Sequence, residues 1–238
     1  MAHVLMAVTA ADTIALADGS AHPTGFWAEE LVELHRGLMA AGHEVTIATP
    51  GGARPPVDPG SLSGDAAGDL RVYLDGIDGL LAQPRALHAV HDGEYDAIVL
   101  PGGHGPMVDL AVDPDLGRLL VDAAEREAVV GVLCHGPAGL LSAVREDGSF
   151  AFAGRRIAVF TDEEERQGGL GTGTPYLVAS RLAELGAIIE PAAPWSVEVV
   201  RDGALVSGQN PQSSVATAAR LVEVLAERAG QNTEPGAR

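Results

Sequence analysis

The stretch AVVGVLCHGPAGLLSAV, residues 128–144, predicts a buried strand that turns sharply into a helix. Its apolar run ends at Leu133, the tetrapeptide CHGP occupies residues 134–137, and apolar residues then return at helical spacing. Gly136 permits a cramped turn, and Pro137 suits the first turn of a helix, where its missing N–H group is not needed. A strand, a sharp turn and a helix in this order form a nucleophile elbow.

Cys134 is the only cysteine in the chain, so it has no partner for an internal disulfide. A free cysteine among apolar residues is usually an inert part of the core. At the elbow, however, its thiol meets the positive end of the predicted helix dipole, which favours the thiolate and lowers the pKa of the thiol. The turn also lies at the carboxyl end of a strand, where open parallel sheets bind ligands. We therefore predict that Cys134 is a nucleophile.

The segments around the elbow predict an α/β sandwich with a mostly parallel central sheet and helices on both faces. SVEVV and ALVSG, around Arg201-Asp202-Gly203, indicate two strands joined by a tight turn, and a helix is predicted over 213–228. Asp113-Pro114 and Thr174-Pro175 predict two helix starts, because each pair places a capping side chain before a proline. The predicted buried strands lie at residues 3–8, 44–49, 97–100, 128–133 and 156–161.

The motif LPGGHG, residues 100–105, also follows a predicted strand. Two adjacent glycines let a reactant approach backbone N–H groups closely, and such groups can stabilise an oxyanion. Pro-Gly-Gly alone is more often a simple turn, but this one is expected at the same sheet edge as Cys134. Gly102, Gly103 and His104 are therefore candidate substrate-binding residues.

A predicted helix over residues 25–41 carries the third signal, an acidic one. Its apolar stripe consists of Trp27, Leu31, Leu34 and Leu38. At 100° per residue, Glu30 flanks this stripe and Glu29 points to the far side. A flanking carboxylate is usually a solvated border residue. Half-buried beside a thiolate, Glu30 would instead have a raised pKa and could carry a proton.

Composition narrows the class of protein. The 238 residues carry a formal net charge of −18, which disfavours nucleic acid and anionic membranes as partners. No apolar run is long enough for a bilayer and no signal stretch is present, so we expect a cytoplasmic location. No linker divides the chain, so residues 1–230 are predicted to form a single domain and residues 231–238 a disordered tail. No metal-ligand spacing is found, so we predict no metal and no cofactor.

Five motifs in this order closely resemble the ThiJ/PfpI superfamily, which is related to class I glutamine amidotransferases. The resemblance extends from about His3 to Ala229 and is greatest for the branch of heat-shock glyoxalases. It implies a flavodoxin-like fold and a homodimer. The motifs are TGFWAEE (24–30), LPGGHG (100–105), GVLCHGPA (131–138), FTDEEE (160–165) and SGQNPQSS (207–214).

The resemblance also implies roles for particular residues. Cys134 would be the nucleophile, with His135 beside it and Glu30 hydrogen-bonded to its thiol; Glu30 lies at the family's spacing before Gly42. An acid after the FTD segment would orient the histidine. Glu165 fits that place best, while its neighbours Glu163 and Glu164 remain alternatives. The backbone N–H groups of Gly103 and His135 would hold an oxyanion.

The implied activity is glyoxalase III-like: conversion of methylglyoxal to lactate through a Cys134 hemithioacetal, with or without deglycase activity. One alternative is a cysteine-dependent amidase or peptidase, in which His135 acts as base on Cys134. Adjacent side chains on an elbow are expected to point apart, which disfavours that pairing. Another alternative is a stress-response chaperone or redox sensor in which Cys134 is oxidised. Whether residues 50–70 cover the pocket is left open.

Overall fold

Strands and helices follow one another along residues 1–65, 67–168 and 170–231, which the computed structural model describes. The strands are β1 (His3–Ala7), β2 (Thr13–Ala15), β3 (Ala21–Pro23), β4 (Glu44–Thr49), β5 (Arg85–Ala86), β6 (Ala97–Leu100), β7 (Val129–Leu133), β8 (Arg156–Ile157), β9 (Ile188–Ile189), β10 (Val199–Asp202) and β11 (Leu205–Gly208). The helices are α1 (Ala28–Ala40), α2 (Ala67–Gly76), α3 (Asp78–Ala82), α4 (Pro114–Glu125), α5 (Asp162–Gln167), α6 (Val178–Glu184) and α7 (Ser214–Gln231).

The central sheet has the strand order β10-β11-β7-β6-β1-β4-β5. Its strands are parallel except β10, which pairs antiparallel with β11. In register, Leu100 of β6 lies beside Val132, and Leu133 of β7 lies beside Gly208 of β11. The segments that follow these three strands therefore leave the sheet at one edge, and this edge carries the motifs singled out in the sequence.

Apolar residues on the two faces of the sheet belong to two separate cores. Successive side chains of a strand point to opposite faces. Leu5 and Ile98 accordingly join α4 and α6 in one core, whereas Met6 and Val99 join α1 and α7 in the other. Each fully buried side chain of this size stabilises the fold by roughly 1.5–3 kcal/mol. The predicted α/β sandwich with a mostly parallel sheet and helices on both faces is confirmed.

Two local predictions are wrong. Residues 156–161 do not form a strand of the central sheet. Within this segment only β8 is paired, and its partner is β9 in a separate two-stranded sheet. The next residue, Ala158, donates its N–H to the Ser207 hydroxyl and not to a backbone carbonyl of the central sheet. Thr174 does not cap a helix either, since its hydroxyl donates to the Gly171 carbonyl and α6 begins at Val178.

Other boundaries agree closely with the sequence patterns. Asp113 caps α4, because its carboxylate accepts the N–H of Leu116 at 2.9 Å. Helix α7 extends to Gln231, three residues beyond its predicted end, and the rest of the predicted tail, 232–238, lies outside the described residues. The single domain over 1–230 stays a prediction.

Pro56 and Asp58, from the segment that was considered as a cover for the pocket, pair with the chain just before α1. The Phe26 N–H donates to the Pro56 carbonyl at 2.9 Å, and the Asp58 N–H donates to the Phe26 carbonyl at 2.9 Å. This arrangement fixes the entry to α1 and thereby the position of Glu30.

Across the described part of the chain, none of the helices combines the length and the apolar character needed to cross a membrane.

Candidate active site

Cys134 follows β7 in a left-handed backbone conformation, with φ of 58°. Few residues other than glycine adopt it, and those that do are often found at active sites. Hydrogen bonds hold the backbone on both sides: the Cys134 N–H donates to the Gly208 carbonyl at 2.9 Å, and the Phe160 N–H donates to the Cys134 carbonyl at 3.0 Å. The position of Cys134 is therefore fixed by the end of β11 and by the segment after β8.

Gly136 makes the sharp turn possible. A Cβ at this position would lie 2.2 Å from the carbonyl oxygen of Leu100, so any larger residue would clash with backbone. The predicted elbow is present. The segment that follows it, Gly136–Ser142, is a 3-10 helix, whereas the apolar spacing predicted an α-helix.

The imidazole of His135 turns back onto the thiol of the preceding residue. Cys134 Sγ and His135 Nδ1 are 3.3 Å apart, and both side chains are buried. The expectation that these adjacent side chains point apart is wrong, because the left-handed turn at Cys134 brings them together. This contact has the geometry of a nucleophile and its base.

Glu165 bridges two imidazoles on the other side of His135. Its Oε2 lies 2.6 Å from Nε2 of His135, and its Oε1 lies 3.0 Å from Nε2 of His104. Burial opposes the charge of Glu165, but the hydrogen bonds from His104 and His135 hold its pKa well below the usual range. An ionised carboxylate only accepts hydrogen bonds, so both Nε2 atoms carry the proton, and Nδ1 of neutral His135 is left to accept one from the thiol.

The same network keeps His135 uncharged at neutral pH. Burial, followed by the neighbouring His104, lowers the pKa of His135 to about 4, although Glu165 acts in the opposite direction. The imidazole rings of His104 and His135 are tilted against each other, with centroids 4.2 Å apart. A neutral, oriented imidazole is the form that can act as a base.

The acidic run at the start of α5 divides into three environments. Glu163 is exposed and pairs with Arg166, while Glu164 is fully buried and forms a capping box with Thr161. Glu165 is the acid of this run that contacts His135. The capping box sets the helix start, and hence which side chain faces the cysteine.

Glu30, on helix α1, also interacts with the Cys134 thiol. Its side chain is 0% exposed, its Oε2 accepts the Gly102 N–H at 2.6 Å, and its carboxyl interacts with the Cys134 thiol. Glu29, the next residue, is only partly buried. The helical geometry that distinguished Glu30 from Glu29 therefore predicted the orientation correctly.

Burial favours the protonated form of both Glu30 and Cys134. Burial raises the pKa of Glu30 to about 8, so this carboxyl is protonated at pH 7 and can donate to sulfur. Burial, with the charge of Glu30, also raises the pKa of the Cys134 thiol. The expected lowering by a helix dipole is not found, because the following helix is short and burial dominates. The thiolate forms when His135 Nδ1, 3.3 Å from the sulfur, accepts the thiol proton.

Two backbone N–H groups belong to residues that line the same cavity as Cys134. The His135 N–H donates toward Cys134 Sγ. Gly103 has φ of 92°, and its N–H donates to no other described residue. Both N–H groups remain candidate oxyanion donors. The Gly102 N–H, in contrast, is already used by Glu30, so Gly102 positions that carboxyl.

A cavity of about 120 Å³ opens above the thiol. The sequence patterns missed its aromatic lining. Trp27 was placed in the buried stripe of α1 but precedes the helix. Phe160 was noted only within a predicted strand and the FTDEEE motif, and Trp195 carried no signal. A larger groove of about 410 Å³ beside α5 contains neither histidine nor cysteine, so the smaller cavity is the candidate site. Its lining residues are Trp27, Gly103, His104, Cys134, His135, Phe160, Glu165, Gly168, Trp195 and Pro211.

His104, His135 and Glu165 also offer ligand atoms within 4.8 Å of one another, the spacing of a metal site. Sequence spacing did not reveal this set, because its members come from three segments of the chain. In this geometry both Glu165 oxygens are engaged by the two imidazoles. The absence of a required metal stays a prediction.

Gly102→Ala is expected to destabilise the protein by about 1–3 kcal/mol. A Cβ there would lie 2.7 Å from both the His135 nitrogen and the Leu133 oxygen, and 2.8 Å from Glu30 Oε2. Urea denaturation measures the change. Gly68→Ala in α2 is the matched control: its Cβ meets nothing within 4 Å, so we expect it to be neutral or to stabilise by up to about 1 kcal/mol. Equal stabilities for the two variants would contradict the prediction.

The chain is similar to known proteins of one family. The model of the DJ-1/PfpI family matches residues 22–224. Protein/nucleic acid deglycase HchA of Pseudomonas aeruginosa is 28% identical over 223 residues, covering 89% of this chain and 76% of the relative. Glutathione-independent glyoxalase HSP31 of Saccharomyces cerevisiae is 26% identical over 237 residues, covering 93% of this chain and 97% of the relative.

A solved structure is similar over the same length. The crystal structure of glyoxalase III from Candida albicans is 26% identical and has a TM-score of 0.78, covering 93% of this chain and 96% of that one. Glyoxalase 3 of the same organism is 26% identical over 233 residues in sequence. These similarities confirm the resemblance predicted from the five sequence motifs.

Proposed function

The chain belongs to the DJ-1/PfpI family, and from that premise we propose that it is a glutathione-independent glyoxalase that converts methylglyoxal to lactate. The observation that carries the proposal is a buried cysteine thiol that lies 3.3 Å from the His135 imidazole and interacts with the buried Glu30 carboxyl. Relatives named as glyoxalases, at 26% identity over nearly their whole length, support it.

In the first step, the Cys134 sulfur adds to the aldehyde carbon of methylglyoxal. His135 Nδ1 accepts the thiol proton, and the resulting charge faces the ionised Glu165. The carbonyl π electrons move to oxygen, and the N–H groups of Gly103 and His135 stabilise the oxyanion. Return of the proton to this oxygen gives the hemithioacetal.

In the second step, the proton on the former aldehyde carbon moves to the neighbouring carbonyl carbon through an enediol. Neutral His135, or Glu30 in its ionised form, accepts it from one carbon and returns it to the other. The product is a thioester of lactate, and water then cleaves the bond from carbon to sulfur and restores the thiol. Methylglyoxal plus water has the composition of lactic acid, so the sequence of steps needs no external oxidant or reductant.

A second candidate function is hydrolysis of a small amide. It is favoured by the chain of contacts that joins Cys134, His135 and Glu165. Distances of 3.3 Å and 2.6 Å link the three groups as in a cysteine hydrolase triad. A cavity of about 120 Å³ is too small for a peptide, which is why we rank this activity second. The name of the relative HchA suggests deglycase action as a further activity, and we expect it to use the same thiol.

We also propose a cytoplasmic location and a homodimer for this protein. A reducing compartment suits a catalytic thiol that must stay unoxidised.

The proposed function is tested by incubating the protein with methylglyoxal, without glutathione, and measuring lactate. The control is the same protein after its single cysteine has been alkylated with iodoacetamide. We expect lactate from the untreated protein only. Equal lactate in both samples would overturn the proposal, and release of ammonia from small amides, with no lactate, would favour the hydrolase.

A further inference from the structure

Trp195 forms one wall of the cavity in a backbone conformation that tryptophan rarely adopts. Its φ is 65°, within a turn closed by the hydrogen bond from the Ser196 N–H to the Ala193 carbonyl at 3.1 Å. Pro194 precedes it, as in a type II turn, whose third residue is normally glycine or asparagine because φ is positive there. A bulky residue in this position costs free energy and persists only where its surroundings hold it.

Glu164 makes a hydrogen bond that stabilises this backbone conformation of Trp195. Its Oε1 accepts the Trp195 N–H at 2.8 Å and the Asn210 amide at 2.8 Å, and Gln209 donates to the same oxygen at 3.1 Å. Burial opposes ionisation, but these hydrogen bonds and those from Thr161 lower the pKa of Glu164. A buried, ionised carboxylate thus anchors the Trp195 turn to the segment after β11.

Other contacts fix the indole ring of Trp195 and connect it to His135 through Phe160. Its Nε1 donates to Gln167 at 2.6 Å, and its ring meets Phe160 edge to face with centroids 5.6 Å apart. Phe160 in turn lies against His135, at 4.4 Å between centroids. Trp195 is 39% exposed, so it stands at the rim of the cavity with one side turned to solvent.

Size and charge of the cavity limit what can enter. Its volume of about 120 Å³ is well below the 300–1,000 Å³ that accommodate drug-sized ligands. None of its described lining residues is an arginine, while Glu165 lines it and Glu30 lies beneath the thiol. No arginine or lysine among these lining residues would balance the charge of a phosphate or carboxylate on a substrate, and ionised Glu165 would repel it.

We propose that Trp195, held by Glu164, is the specificity-determining residue that restricts the site to small uncharged 2-oxoaldehydes. The substrate class rests on the proposed function, but the limit on size does not. Trp195 excludes bulky groups from the thiol, and Glu164 acts as a positioning residue through it.

Alkylation of the single cysteine tests the size limit without any assay of turnover. The rate for iodoacetamide is compared with that for the bulkier, uncharged N-phenylmaleimide in wild type and in Trp195→Ala, Trp195→Phe and Glu164→Gln. We expect the ratio of the N-phenylmaleimide rate to the iodoacetamide rate to rise about tenfold in Trp195→Ala and by a smaller factor in Glu164→Gln. Trp195→Phe should stay close to wild type. General loosening of the fold would speed both reagents and leave the ratio unchanged.

Val197→Ala is the matched control, since Val197 is 58% exposed in the same loop and outside the cavity lining. Turnover gives the second readout: the ratio of kcat/KM for phenylglyoxal to that for methylglyoxal should rise about tenfold in Trp195→Ala. A ratio within twofold of wild type for both readouts would overturn the inference. A shifted alkylation ratio without any lactate would sustain the size limit and defeat the proposed function.

A separate comparison of alkylating reagents tests whether the site excludes negatively charged molecules. The rate for iodoacetate relative to iodoacetamide at Cys134 should be at least about tenfold lower than the same ratio for free cysteine. Equal ratios would overturn the restriction to uncharged substrates.

Discussion

Cys134→Ser is expected to lower kcat/KM for methylglyoxal by at least about 10⁴-fold. A serine hydroxyl is a far weaker nucleophile than a thiol at neutral pH, because it holds its proton much more tightly. The groups around the sulfur cannot compensate: His135 is neutral with one free nitrogen, and Glu30 is protonated. Only the oxyanion donors and the cavity would remain, so the residual rate should approach that of the reaction without enzyme.

The loss has to be separated from misfolding. Serine fits the space of cysteine, and the left-handed backbone of residue 134 is held by Gly208 and Phe160 rather than by its own side chain. We therefore expect a melting temperature within a few degrees of wild type. Cys134→Ala provides the comparison without any nucleophile. More than about 1% of wild-type activity in either variant would exclude sulfur as the reacting atom.

Local sequence patterns predicted the elbow, the paired glycines and the orientation of Glu30. Each depends on a few neighbouring residues: Gly136 allows a turn that no side chain permits, and the stripe of α1 determines which glutamate points inward. The register of β6, β7 and β11 then brings these features to one edge. Short-range rules were sufficient here because the tertiary structure agrees with them.

Other features depend on contacts between distant segments. Glu164 and Glu165 are adjacent, and only the capping box at Thr161 decides that one faces Asn210 and the other His135. Trp195 occupies a turn position that its type disfavours, so no propensity could identify it. Its place in the cavity follows from Glu164, 31 residues earlier.

The acidity of the thiol was misjudged for a related reason. Sequence position suggested a helix dipole acting on Cys134, which lowers a thiol pKa. Burial of the thiol beside a carboxyl raises it instead. The extent of burial is a property of the folded chain, and sequence position alone does not reveal it.

Glu30→Gln is expected to separate proton transfer from thiol reactivity. The glutamine carbonyl can still accept the Gly102 N–H, and its amide can still donate to sulfur, but it cannot carry a proton. We expect kcat/KM for methylglyoxal to fall by about 10²–10⁴-fold, while alkylation of Cys134 by iodoacetamide stays within about threefold of wild type. Glu29→Gln, one residue away and outside the cavity lining, should leave both rates unchanged. A loss of lactate formation below tenfold would assign the proton transfer to His135.

The same substitution should change how stability depends on pH. Burial raises the pKa of Glu30 from 4.5 to about 8, so between these values the folded chain keeps a proton that the unfolded chain has released. Stability therefore falls as pH rises, by up to about 5 kcal/mol once pH exceeds 8. Glutamine removes this penalty. We expect equal urea stabilities for wild type and Glu30→Gln at pH 5, and a more stable variant, by several kcal/mol, at pH 8.5. His135 acts on both proteins alike, so it cancels in the difference. A difference that stays constant with pH would show that Glu30 does not hold its proton in the fold.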